Sequence, residues 1–396
     1  MEFSNIQNKE QLLSIKSKYN WELVHFKELL SDETRNAVKI KKEDYLKIGK
    51  FPIIDQGKEL ISGYTNDEEK IYKDKLPVIL FGDHTRVVKY VDFPFYLGAD
   101  GVKLLTPKKE INVKYLYYFI KTVDIPDTGY NRHFKFLKNI IIPLPPIETQ
   151  KKIADVLDKA QELIDKRKEQ IEKLDEFIQS VFLDMFGDPI RNSKNWVKDD
   201  FGNYIEVLTD YHANGSYKIL KQNVELLDEE NYALMIRTTD LENNNFTKNV
   251  KYITKEAYEF LSKTKVYGGE IIINKIGSAG NVYLMPKLNR PVSLGMNLFM
   301  IRLSKKLNNV FIYHLFNNST GKSLIMSKVR GAVTKTITKD AIRQINIPIP
   351  PIELQNKFAE IVEKAEKQKE LLQKSLTEME NNFNNLMQKA FKGELF

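Results

Sequence analysis

Pro145-Pro146-Ile147-Glu148-Thr149-Gln150 and Pro350-Pro351-Ile352-Glu353-Leu354-Gln355 are two copies of one phrase, 205 residues apart (147 against 352). Proline suits the first turn of a helix and not its interior, so each diproline predicts a helix starting just after it. The offset continues inward: Ile153, Ala154 and Leu157 align with Phe358, Ala359 and Val362, and the copies end on Phe186 and Phe391. Apolar residues recur at heptad spacing in both. Leu157, Ile164, Ile171, Leu174 and Ile178 form the first seam, and Phe358, Val362, Leu372, Leu376, Met379, Phe383 and Leu386 the second. A seam sustained over five heptads predicts two helices packed on each other as an antiparallel coiled coil. Each would have about 36 residues and be roughly 54 Å long. Arg167 and Lys369 each interrupt a seam once, as polar residues that set register do.

The repeat extends beyond the helices. The two tryptophans open Trp21-Glu-Leu-Val-His-Phe26 and Trp196-Val-Lys-Asp-Asp-Phe201, while Leu97-Gly98-Ala99-Asp100 resembles Leu294-Gly295-Met296-Asn297. The offset grows from 175 at the tryptophans to 205 at the prolines. The second copy therefore carries about 30 extra residues, expected in loops. The expected fold is α+β with an internal pseudo-twofold repeat: a globular domain (1–143), a spacer helix (144–187), a second globular domain (188–348) and a second helix (349–396). Each globular domain is mixed and mostly β. Lys75-Leu-Pro-Val-Ile-Leu-Phe81 and Glu270-Ile-Ile-Ile-Asn274 read as buried strands, each followed by a hairpin partner at 87–91 and 281–285. Short helices are expected at 113–121 and 310–316, and short final strands at 140–142 and 345–347. Tyr115, Tyr117, Tyr118 and Phe119 are expected to pack in the core or against a long helix.

Composition narrows the function. With 396 residues the chain is too long for one core. Its net charge of +8 points mildly to a polyanionic partner. There is no cysteine, and the five histidines lack metal-ligand spacing, so no metal and no thiol chemistry are expected. No signal peptide and no apolar run near ~20 residues is present, which suggests a cytoplasmic protein. No phosphate-binding loop of the Gly-x-x-x-x-Gly-Lys-Ser/Thr type occurs. Gly277-Ser278-Ala279-Gly280 reads as a hairpin turn or a DNA-facing loop rather than a nucleotide loop. No catalytic residue is expected.

Two similar heads on a paired rigid spacer suit two half-sites on duplex DNA at a fixed separation. Because the heads differ in sequence, the half-sites should differ. Candidate contacts lie in two loops per head. The first head offers His84, Thr85 and Arg86 in one loop and Asn131, Arg132, His133 and Lys135 in or beside a later one; the second offers Lys275, Ser278 and Asn281, and later Arg330, Thr334, Lys335 and Thr336. Arginine and lysine read guanine, asparagine reads adenine, and threonine and lysine hold phosphate.

Pro-Leu-Pro-Pro-Ile-Glu-Thr-Gln-Lys-Lys-Ile-Ala154 with its second copy, Val78-Ile-Leu-Phe-Gly-Asp-His-Thr-Arg-Val-Val-Lys-Tyr-Val-Asp-Phe-Pro-Phe95, and the ending Ala390-Phe-Lys-Gly-Glu-Leu395 resemble the conserved regions of type I restriction–modification specificity subunits. The resemblance covers nearly the whole chain, in the family's order of recognition domain, helix, recognition domain, helix. It implies a non-catalytic, DNA-binding subunit whose partners are double-stranded DNA, two modification subunits that methylate adenine N6, and restriction (translocase–endonuclease) subunits. S-adenosylmethionine, ATP and Mg would sit on those partners. A free-standing two-headed DNA-binding scaffold is the competing expectation.

Overall fold

The computed structural model describes residues 7–98, 101–129 and 131–396. Ala99 and Asp100 of the repeated turn, and Tyr130 of a candidate loop, lie outside them. The chain divides into two compact units, Met1–Glu169 with Gln373–Phe396, and Gln170–Leu372. Each unit thus takes one globular domain and part of both long helices.

In the first unit, the segment after Trp21 forms the strand Glu22–His25, which pairs antiparallel with Ile141–Leu144. A four-stranded sheet runs in the order Leu30–Asp32, Val102–Pro107, Val78–Gly82, Val88–Val91. Val78–Gly82 is buried along its whole length, which explains its unbroken apolar run. Alternate side chains face opposite sides of a strand. Ile79 and Phe81 enter the core with the helix Val113–Thr122, and Val78 and Leu80 enter a second cluster with Ile54, Val91 and Phe95. A smaller sheet joins Gly63–Thr65, Phe51–Ile54 and Tyr96–Leu97, the last two parallel. A helix at Lys9–Tyr19, not foreseen from sequence, buries Leu12 and Ile15.

The second unit repeats this plan. Lys198–Asp200 pairs with Asn346–Pro348. The equivalent four-stranded sheet runs Ile205–Asp210, Leu298–Leu303, Ile271–Asn274, Val282–Leu284. Ala233–Ile236 runs parallel to Val292–Leu294, as Phe51–Ile54 does to Tyr96–Leu97. The extra residues of this copy correct the expectation of loops. The helices Tyr217–Asn223, Thr238–Glu242 and Lys255–Phe260 and a fourth strand, Lys265–Val266, enlarge the small sheet. Leu220, Ala257 and Leu261 are buried there with their own core, and apolar side chains that can be buried make an insertion fold rather than trail.

Both long helices have 40 residues, Ile147–Phe186 and Ile352–Phe391. In the first unit, Ile153, Leu157 and Ile164 share a core with Phe383, Met387 and Ala390. In the second, Ile178, Phe182 and Phe186 share one with Phe358, Val362 and Ala365. Each unit therefore joins the start of one helix to the end of the other, an antiparallel pairing. Of the seam residues, Leu157, Ile164, Ile171, Ile178, Phe358, Val362 and Phe383 are buried, and Leu174, Leu372, Leu376, Met379 and Leu386 are half-buried. Lys369, one of the seam interruptions, pairs with Asp175 at 2.5 Å.

The repeated glutamine has a definite task. Gln150 accepts from the Asn112 backbone N–H (2.9 Å) and donates to the Pro145 carbonyl (2.8 Å). Gln355 accepts from the Asn308 N–H (2.9 Å) and donates to the Pro350 carbonyl (2.7 Å). Asn112 and Asn308 are the N-caps of the helices Val113–Thr122 and Asn309–Asn317. Both glutamines are buried, so each ties a long helix to the helix of its own domain. Tyr115 and Phe119 then pack on Phe391, and Tyr118 on Phe383, as expected.

Candidate nucleic-acid interface

Each unit brings its two candidate loops together. In the first, the connection from Val78–Gly82 to Val88–Val91 turns tightly, with Arg86 at φ 63° and its N–H donating to the Gly82 carbonyl at 2.8 Å. The loop before Phe134 closes onto it. The His133 N–H donates to the Asp83 carbonyl (2.8 Å), and the Phe134 N–H to the Asp83 carboxylate (2.8 Å). His133 is fully buried, with Nδ1 2.9 Å from the Asp83 carbonyl and Nε2 3.3 Å from Thr128 Oγ1. Its place is therefore corrected from contact to brace between the loops: a fully buried ring meets no partner molecule. Arg86 also braces, its guanidinium donating to the Ile125 carbonyl (3.1 Å) and pairing with Asp127 (2.7 Å). Hydrogen bonding from the Gly129 N–H and the charge of Arg86 hold the Asp127 carboxyl below its usual range.

The remaining first-unit candidates line this doubled loop. Thr85 Oγ1 donates to the Gln56 carbonyl (2.6 Å), and His84 Nδ1 lies 3.2 Å from the Asn131 carbonyl. Asn131 donates to the Thr128 carbonyl. Arg132 is exposed in the loop, and Lys135 is exposed on the short helix Phe134–Leu137 that follows it, over the Phe136 ring at 5.2 Å.

The second unit uses different residues for the same join. The Gly277 N–H donates to the Lys335 carbonyl (3.0 Å), and the Ile337 N–H to the Lys275 carbonyl (3.1 Å). Arg330 and Thr336 exchange two backbone hydrogen bonds, 2.8 and 2.7 Å, an isolated bridge that closes the loop between them. Beneath it, Asp210 is nearly buried and receives both Lys275 (2.9 Å) and Lys339 (2.8 Å). Burial pushes its pKa up, the two lysines pull it down, and the lysines prevail. Ser278 donates to Glu242 (2.8 Å), and the Asn281 N–H to the Ser278 carbonyl (3.1 Å). Arg330, Thr334 and Lys335 are exposed, and Thr336 and Asn281 half-buried. Beside this loop, the carbonyl of Asn297 accepts from Lys275 N–H (2.7 Å). Asn297 also lines a groove of about 460 Å³ with Tyr217, Met235, Arg237, Thr238 and Met296.

Each unit therefore displays exposed cations and hydroxyls on a braced double loop, the equipment for gripping phosphate and probing base edges. Comparison with known proteins decides what such a chain is. The family model described as type I restriction modification DNA specificity domain matches residues 18–174 and 210–381.

The chain belongs to this family.

A type I restriction enzyme specificity subunit of Escherichia coli is 23% identical over 347 residues, covering 82% of this chain and 81% of that protein. A putative type I restriction enzyme specificity subunit of Methanocaldococcus jannaschii is 26% identical, covering 91% and 92%. The fold is shared with the type I restriction–modification S subunit of M. genitalium, at TM-score 0.55 and 17% identity over 94% of this chain and 96% of that one. A chain from a structure on complex assembly and conformational transition of the type I R-M system gives TM-score 0.54 at 15% identity, over 95% and 98%. A type I specificity subunit is the DNA-recognising component of its system, so the double loops are the candidate surface for that task.

Among the described residues no group of three His, Cys, Asp or Glu is arranged to hold a metal ion, and no helix is long and apolar enough to cross a membrane. The braces Asp83, Gln56, Asp127, Asp210 and Lys339 are not among the candidates that the sequence of this specificity subunit offers. Only Asp127 carried a local signal, the Asp-Thr-Gly turn in which its carboxylate accepts from the Gly129 N–H at 3.0 Å.

Proposed function

We propose that each unit of this specificity subunit reads one half of a split, asymmetric DNA target through its double loop, and that the chain positions adenine-N6 methyltransferase subunits on the two halves. The observation that carries the reading is the pairing of loops in both units, on one plan but with different side chains. Equivalent frames with unlike readers imply unlike half-sites. In the first unit the exposed set is Thr85, Asn131, Arg132 and Lys135, with His84 half-exposed, and in the second Ser278, Arg330, Thr334 and Lys335. In this reading the chain is a non-catalytic subunit: methyl transfer from S-adenosylmethionine belongs to the modification subunits, and ATP- and Mg-dependent translocation and cleavage to restriction subunits. The chain acts with them in the cytoplasm.

Methylation mapping of DNA exposed to the chain coexpressed with its modification subunit tests this. The expected result is a split asymmetric motif with one N6-methyladenine in each half, on opposite strands. No new methylated adenine, from a modification subunit active with another specificity subunit, would leave a free-standing DNA-binding scaffold as the better account.

A further inference from the structure

The loop from Arg330 to Thr336, closed at its base by one bridge pair, has a tip that the rest of it does not explain. Gly331 stands at φ +103°, and a Cβ there would lie 2.1 Å from the Thr334 carbonyl oxygen. The tip is therefore a built turn that requires glycine. At its end Val333 is 98% exposed, the most exposed large apolar side chain among the described residues. A single exposed valine is ordinary on a surface; its setting here is not. Arg330 and Lys335 flank it and make no side-chain hydrogen bond or ion pair among the described residues, while nearby Lys275 and Lys339 are both engaged by Asp210. An apolar tip between two uncommitted cations, on a loop closed at its base by the Arg330–Thr336 bridge pair, complements a polyanion that has an apolar feature in a groove wide enough to admit the loop.

The DNA major groove admits elements as wide as a two-stranded ribbon, and so a loop closed by one bridge pair, and the apolar group on its base edges is the 5-methyl of thymine. We infer that Val333 is a specificity-determining residue that packs on the 5-methyl group of a thymine in the half-site read by the second unit, with Arg330 and Lys335 on the flanking phosphates. The inference rests on the DNA reading proposed above.

The test uses the chain in complex with its modification subunit and duplexes of the mapped target. Each thymine of the second unit's half-site is replaced in turn by deoxyuridine, which lacks only the methyl. Dissociation constants are measured for the wild type and for Val333→Ala, whose folding is checked by thermal melting. One replacement should weaken the wild type about three- to fivefold, as expected for one methyl returned to water. Val333→Ala should bind the thymine duplex correspondingly less well and be indifferent to that replacement. A half-site without thymine, a wild type indifferent to every deoxyuridine, or a variant as sensitive as the wild type would overturn the inference and leave the DNA reading standing. A complex with no sequence-specific binding to any duplex would remove that reading, and the inference with it.

Discussion

Gln150 and Gln355 show why a short phrase is written twice. Each is buried and holds one amide that has lost its partner at a helix start and one carbonyl of the diproline. A buried amide or carbonyl left without a partner costs about 1–3 kcal/mol. Gln355→Leu keeps the volume and removes both bonds, so it should destabilise the second unit by roughly 2–4 kcal/mol. Urea denaturation of the full chain checks this; a midpoint shift worth under ~0.5 kcal/mol would show the glutamine to be a bystander. The phrase is visible in sequence, but its partner atoms are not, because Asn308 and Asn112 lie dozens of residues upstream.

Among the elements, the helix Asn309–Asn317 is held against the second long helix partly through His314, whose ring stands edge-on to Phe358 at 5.3 Å. Burial lowers the His314 pKa to about 4, against the opposing charge of Asp175. The folded chain thus keeps the ring neutral where the unfolded chain, titrating near 6.5, takes up a proton. Stability is fully present above pH ~6.5 and is lost as pH falls from there toward 4. From pH 7 to pH 5 the loss from this one group is about 2 kcal/mol. Comparing urea midpoints at the two pH values for the wild type and His314→Gln should show a smaller drop in the variant; an equal drop would assign the pH dependence to other groups. Elements themselves were readable where apolar spacing repeats. The strands Val78–Gly82 and Ile271–Asn274 and the helices Val113–Thr122 and Asn309–Asn317 match their expectations to within a few residues. The extra elements of the second domain were not, since an insertion shows only as a change of offset, and whether it folds depends on apolar surface contributed by neighbours.

For the molecule as a whole, two units built on one plan predict that their readouts separate. Exchanging residues 1–143 for the equivalent domain of another family member should change one half of the methylated motif and leave the other intact. Methylation mapping of the chimera checks this, and alteration of both halves would rule out independent reading. The units include parts of both long helices, so the exchange leaves the second unit's core, with Phe182, Phe186, Phe358 and Val362, in place.

The sequence by itself determined the repeat, the two long helices with their seams, the main strands of each domain and the family. The repeat, the helices and the strands are written in local spacing, which short-range sterics and apolar periodicity translate directly into structure; the family is written in the likeness of whole phrases to those of known relatives. Only the tertiary structure decided which loop residues are presented outward. Asp83 meets His133 across 50 positions and Lys339 meets Asp210 across 129. Apart from Asp127 in its own turn, nothing local distinguishes a charged or polar side chain that braces a neighbouring loop from one left free beside it, because that choice is made by distant partners that chain folding alone brings within hydrogen-bonding reach.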